Sequence, residues 1–176
     1  MPPSVEPRHE QVVAAIRTGL AVTGDAYWYA PDRVIRAPAL YDGCIAPGAD
    51  GETIDCTYVI VPDRTIRKPK ASRMNEARME FDVFGLKRLP REYSEINPQK
   101  LAVAGSTLRE TYQARLAADI ETKLLALVGG QTMRGLGVYE IACTSDDRTA
   151  EETAIEGWAL ALLRVAITYT YPRATP

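Results

Sequence analysis

A chain of 176 residues, 46% hydrophobic and 25% charged, is long and apolar enough to fill the core of one domain spanning residues 1–176. Its net charge of -2 and pI near 5.5 supply no bulk attraction to nucleic acid or to an anionic membrane surface. Cys44, Cys56 and Cys143 lack CxxC spacing and His9 is the only histidine, which speaks against a disulfide framework and a structural zinc site. No apolar run reaches the ~18 residues of a membrane span, and no signal-peptide segment opens the chain, so a reduced, cytoplasmic, soluble protein is expected.

The first helix is predicted from about Pro7 to Leu20. Proline suits a first helical position, Val12, Val13, Ile16 and Leu20 recur on one face, and Gly24 follows as a stop. From Asp25 to Asp55 the periodicity dissolves. Pro31, Pro38 and Pro47 alternate with Gly43, Gly48 and Gly51, the pattern of an extended excursion with a turn-rich tip. Tyr27–Tyr29 and Arg33–Ile35 are candidate strand fragments within it. An irregular segment this long is unusual in a compact domain unless it contacts something.

Two strands are predicted next. Cys56–Val61 (CTYVIV) is a short apolar run closed by Pro62. Ala77–Leu86 alternates Met79, Phe81 and Val83 with Arg78, Glu80 and Asp82, so one face is buried and the other wet. Residues 63–76 between them read as a basic loop. Lys87–Gly105, with Pro90 and Pro98, reads as a further connector.

The second helix has the clearest pattern. Thr107 and Glu110 form a capping box, and Leu108, Tyr112, Leu116, Ile120 and Leu124 then repeat every four residues. Asp119 precedes Lys123 by four residues, the spacing of an exposed ion pair, and Gly129-Gly130 ends the helix. Gly137–Thr144 reads as a strand, followed by an acidic loop over 145–156. The last long segment, Gly157–Tyr171, is nearly uncharged and alternates in period two from Val165 onward. Thr149–Glu152 also matches a capping box, so a helix across 149–164 is the competing reading, which Gly157 and the β-branched end oppose. A strand of that length would outrun its own sheet and present an open edge to a partner.

The fold expected from these elements is α+β, in the order α-β-β-α-β-β. A mostly antiparallel four-stranded sheet carries both helices on one face and long loops elsewhere.

Motifs for chemistry are sparse. Gly135-Leu136-Gly137 lacks the third glycine of a dinucleotide loop and reads as a turn, no GxxxxGK or GxSxG occurs, and His9 reads as an ordinary exposed residue. Asp63 followed by Glu80-Phe81-Asp82 is similar to a metal-dependent nuclease pattern, since Glu80 and Asp82 share a strand face. Asp82, however, stands where that pattern needs a lysine. No catalytic residue, metal ligand or cofactor is assigned.

Two charge clusters stand out. Arg64, Arg67, Lys68, Lys70 and Arg73 concentrate cations beside Asp63, and Asp146, Asp147, Glu151, Glu152 and Glu156 concentrate anions around Arg148. Both are expected in connections that present side chains rather than bury them. They are solvated loops, a phosphate-contacting basic loop, or a head-to-tail interface in which the basic loop of one subunit meets the acidic loop of the next.

The order of a short helix, a Pro/Gly-rich stretch, a two-stranded unit with a long polar loop, an amphipathic helix and a final strand pair ending W-x-L-x-L-x-R-V-x-I-x-Y resembles tail terminator (tail completion) proteins of long-tailed bacteriophages. Val12–Leu20, Ala77–Leu86, Leu108–Leu127 and Trp158–Tyr171 carry the likeness, and the 25–55 excursion exceeds the family's usual connection. The resemblance implies a structural virion protein, not an enzyme. It implies a homo-hexameric ring at the head-proximal end of the tail that stops tail-tube polymerisation and supports head-tail joining. Its partners would be the tail-tube protein and a head-completion or stopper protein, with DNA passing through the channel and no membrane contact. Assembly would take place in the host cytoplasm, and the mature location would be the virion neck. Another neck or tail-tube subunit, a small phage nuclease and a host-encoded binding domain are the alternatives.

Overall fold

The computed structural model describes residues 7–70, 74–90, 98–146 and 155–172. They form α1 (Pro7–Leu20), β1 (Arg33–Arg36), a 3-10 turn (Asp42–Cys44), β2 (Cys56–Lys70), β3 (Met74–Arg88), α2 (Pro98–Val128), α3 (Gln131–Gly135), β4 (Val138–Ser145) and β5 (Trp158–Pro172). The fold is mixed α+β around one five-stranded sheet of order β1-β2-β3-β5-β4. The four long strands are antiparallel to their neighbours, and β1 adds a short parallel edge beside Thr57–Ile60. A four-stranded sheet in the order α-β-β-α-β-β is therefore incomplete. The fifth strand is Arg33–Arg36, and it runs parallel because the excursion after it crosses the sheet before entering β2.

Both faces of the sheet are covered, but unequally. On the helical face Val12, Ile16 and Leu20 of α1 and Leu116, Ile120 and Leu124 of α2 pack on Tyr58, Ile60, Phe81, Val83, Leu163 and Ile167, as their spacing predicts. Gly85 lets α2 approach β3, since a Cβ there would lie 2.7 Å from the Ile120 side chain. On the other face the excursion folds back, and Ala37, Cys44 and Ile54 close over Val59, Phe84, Leu86, Trp158, Leu160 and Leu162. Arg33 holds this cover down by donating to the carbonyls of Gly43, Cys44 and Ala46. The cover reaches only one half of the sheet. Beyond it the face opens to solvent, and this half is called the open face below.

That division explains β5. Its first half is apolar on both faces, with Trp158, Leu160 and Leu162 facing the excursion and Ala159, Ala161 and Leu163 facing the helices. Its second half alternates buried Val165, Ile167 and Tyr169 with Arg164, Ala166 and Thr170. The strand reading holds from Trp158 onward, and residues 147–154 of the competing helix lie outside the described residues. β5 lies between β3 and β4 and all fifteen of its residues pair with β3, but β4 pairs only with Leu163–Tyr169, so the overhang expected of this strand survives only at Trp158–Ala161, which has no second neighbour among the described residues.

Three boundaries also move. α2 begins at Pro98, so Thr107 and Glu110 are interior to the helix rather than a cap, and the proline read as a connector residue is the helix start. Residues 63–70, expected in a loop, continue β2, and 74–76 belong to β3. The bonds from Asp32 N to Cys56 O and from Ala37 N to Ile60 O fix alternate β2 residues as outward-facing. Pro62 is the next in that alternation, so its missing N–H faces the open edge and costs the β2–β3 ladder nothing. A β-bulge between Pro62 and Arg64 resets the phase, which leaves Thr65, Arg67 and Pro69 outward.

Asp119 and Lys123 are not an exposed pair. They are 2% and 1% exposed, on the buried side of α2. The Asp119 carboxylate accepts from the backbone N–H groups of Trp28 and Tyr29 at 2.9 and 2.8 Å. Lys123 donates to Leu20 O and Tyr29 O and sits over the rings of Tyr27 and Tyr58. Burial lowers the Lys123 pKa, against the opposing pull of Asp119. Together the two residues clamp the Tyr27–Tyr29 segment onto α2.

Candidate assembly surface

The half of the sheet outside the excursion's cover carries the described basic residues singled out in the sequence, Arg64, Arg67, Lys68 and Lys70. Beyond Ile60, β2 has no strand on its outer side among the described residues, so the β2–β3 hairpin overhangs β1. Arg64, Ile66, Lys68 and Lys70 lie opposite Glu80, Arg78, Glu76 and Met74 on the open face. Thr65 and Arg67 pair with Met79 and Ala77 on the helical face.

The charges are partly compensated within the chain. Glu80 accepts from Arg64 at 2.5 Å through one oxygen and from Arg78 at 3.0 Å through the other. The Arg64 bond, with help from Arg78, holds its carboxyl below the usual range. Glu76 accepts from Tyr139 at 2.6 Å and from Lys70 at 3.2 Å, and these two bonds lower its pKa. The same contact with Glu76 pushes the Tyr139 phenol up to about 12. The Lys70 ammonium also sits 5.2 Å from the Tyr139 ring centre. Tyr139 stands at the bulge of β4, so this group ties β2, β3 and β4 together across β5. Ile66 (37% exposed) and Tyr139 (50% exposed) flank a shallow depression that also includes Lys68, Arg78, Glu140 and Thr168.

At the other end of the sheet Asp146 pairs with Arg164 at 2.8 Å. Arg73, Asp147, Glu151 and Glu152 lie outside the described residues. Among the described residues the two charge clusters do not meet within one chain. Along β5 the acidic end is marked by Leu163, opposite Ser145, and the basic end by Pro172, opposite Met74. At ~3.3 Å per residue those ends are roughly 30 Å apart.

Beside the outer edge of β2, an apolar groove runs under α1, with Val13, Ile16, Ile60, Met79 and Phe81 in its walls. His9, expected to be exposed, is half-buried at its rim, near Arg36 and Arg64.

Glu80 and Asp82 do share a face. Both Glu80 oxygens are occupied by guanidinium groups, and burial raises the Asp82 pKa despite nearby Arg164. Among the described residues, no three of His, Cys, Asp and Glu converge as metal ligands. Two features escaped sequence reading. Tyr139 was passed over as an ordinary strand residue, and the Asp119–Lys123 clamp carried the spacing of a surface pair. Compared with protein-family models and with curated protein sequences, the chain matches none.

Proposed function

We propose that the protein is a ring-forming structural subunit of the tail-terminator type. Copies associate head-to-tail into a hexamer at the head-proximal end of a phage tail, stop tail-tube polymerisation and support joining to the head. No reaction is involved. The partners on this reading are other copies, the tail-tube protein and a head-completion or stopper protein. DNA passes through the channel without specific binding.

The observation that carries the reading is the overhanging β2–β3 hairpin with its outer edge bare among the described residues. An edge of that kind is a template for another chain. The ~30 Å between the described basic and acidic ends further supports it, because a head-to-tail contact brings ends of opposite charge together between subunits. Element order and the terminal strand pattern agree with the family resemblance.

Negative-stain electron microscopy with solution mass measurement, in low and then high salt, tests the proposal. Closed sixfold rings that loosen with salt are expected, and Arg67→Glu/Lys68→Glu should abolish them. Reversing Asp146 and Glu151 to lysine in that background should partly restore them. Open filaments would instead identify a tube subunit, and an unchanged ring mass in the charge-reversed variant would defeat the charged contact.

A further inference from the structure

The sheet has two bare edges of opposite charge among the described residues, and their hydrogen-bonding phases match. We infer that the outer edge of β2 in one copy receives the outer edge of β4 from a second copy, as an antiparallel strand pair that continues the sheet from subunit to subunit. This rests on the self-associating reading and specifies its contact.

Strand direction comes first. β2 and β5 run one way and β3 and β4 the other, as the antiparallel pairs require. A rotation that carries one subunit onto the next therefore brings β4 against β2 antiparallel, which makes a head-to-tail contact of the kind that closes rings.

The phase comes next. On β2 the outward residues past the bulge are Thr65, Arg67 and Pro69, and Pro62 precedes them. Prolines donate nothing, so Thr65 and Arg67 are the two outward N–H donors between them, and Pro62 and Pro69 bracket the usable edge. On β4 past its bulge, the bond from Asp146 N to Leu162 O turns even-numbered residues toward β5, Gly137 on the other side of the bulge being in the opposite phase. Ile141, Cys143 and Ser145 are left outward, and no proline interrupts them.

Setting Thr65 opposite Cys143 places Arg67 opposite Ile141, and the Thr65 and Cys143 N–H groups each find an acceptor in the other's carbonyl. Side chains agree as well. Thr65 lies on the helical face opposite Met79, and Cys143 packs against the helical-face core. On the open face the same register puts Lys68 opposite Glu140, both exposed. Slipping the register by two residues one way sets Glu140 opposite apolar Ile66, and the other way opposite Lys70, which already donates to Glu76.

The test uses the chain's own cysteine. Directly opposed residues in a hydrogen-bonded antiparallel pair have Cα atoms about 5.5 Å apart, a span a disulfide bridges. Cys44 and Cys56 are buried and Cys143 is half-buried, so Cys143 is the accessible partner, and because burial pushes its thiol up to about 11 the oxidation is run at alkaline pH. Thr65→Cys is expected to give, on mild oxidation, a ladder of disulfide-linked multimers up to the ring on a non-reducing gel, which reductant collapses and Cys143→Ser in the same background removes. Lys68→Glu should lower the ring population, and Lys68→Glu/Glu140→Lys should restore it. Intact rings with no Thr65→Cys ladder and no rescue would overturn this pairing and leave the ring reading standing. A single-copy mass at every protein concentration, with no ladder, would overturn both.

Discussion

Asp119→Ala should be among the most destabilising single changes in the protein. The substitution removes the carboxylate that accepts two backbone N–H groups, from Trp28 and Tyr29, at a site 2% exposed. Hydrogen bonds to a charged group contribute roughly 1.5–3 kcal/mol each, and the orphaned amides keep their desolvation cost. The change also strips Lys123, 1% exposed, of its nearby counter-charge. Breaking a buried charge arrangement by removing one member costs about 3–5 kcal/mol, so the total expected is of that order. Against a typical stability of about 5–15 kcal/mol this is a large fraction of the whole. With a urea m-value near 2 kcal/mol per molar, the midpoint of a urea melt should fall by roughly 2 M. The second arm is Asp119→Ala/Lys123→Met. Replacing the stranded ammonium with an apolar chain of similar length should recover on the order of 1–2 kcal/mol relative to Asp119→Ala alone. Trp28, 62% exposed with the Arg115 guanidinium 4.3 Å from its ring centre, reports locally by fluorescence as the segment detaches. A loss under about 1 kcal/mol for Asp119→Ala, or no relief in the double variant, would refute the clamp.

Gly137→Ala should cost roughly 2–4 kcal/mol in a urea melt, because φ is +78° and the new Cβ would lie 2.3 Å from the Thr170 carbonyl oxygen, a backbone atom that a side-chain rotation cannot move aside. A near-neutral result would mean that β4 enters the sheet differently. In alkaline solution the protein should weaken. Burial pushes Cys56 and Tyr29 up to about 12 each, so the unfolded chain releases those protons first. Their contribution is full below the ordinary values of 9.0 and 10.0 and is lost as pH climbs from there toward 12. Lys123, lowered by burial, binds more protons unfolded and works in the opposite sense below its ordinary 10.5. Urea melts across that range should therefore show a decline that Cys56→Ala flattens and Lys123→Met steepens, and a flat profile in the parent protein would contradict the assignment.

What could be read from the residues follows from how local the signals are. α1 was legible to its ends because its apolar ridge and its proline start are properties of the segment itself. The ridge of α2 and the alternation of β3 were legible for the same reason. Pro62 misled because proline usually closes a strand, and only the position of the bare edge tells that its missing donor is harmless. Arg33–Ile35 reads as a fragment but not as a sheet member, since a four-residue strand (Arg33–Arg36) paired to a segment about 24 residues away has no periodicity of its own. The spacing of Asp119 and Lys123 suits an exposed ion pair equally well. That they turn inward depends on Trp28 and Tyr29, some 90 residues away. Among the interface candidates, the clustering of cations was plain, but their internal pairing with Glu76 and Glu80 needed the β2–β3 register.

The place of β5 sets an order of events for making this protein. It follows β3 and β4 in the chain yet lies between them in the sheet, and among the described strands they are joined only through it. Until Trp158–Pro172 has been synthesised and released, the inner edge of β3 and both edges of β4 have no partner in the sheet. Nascent chains held at that stage are the ones most exposed to mispairing with one another. A polysome crowded with them is where aggregation would start, and insertion of the final strand removes the hazard in one step.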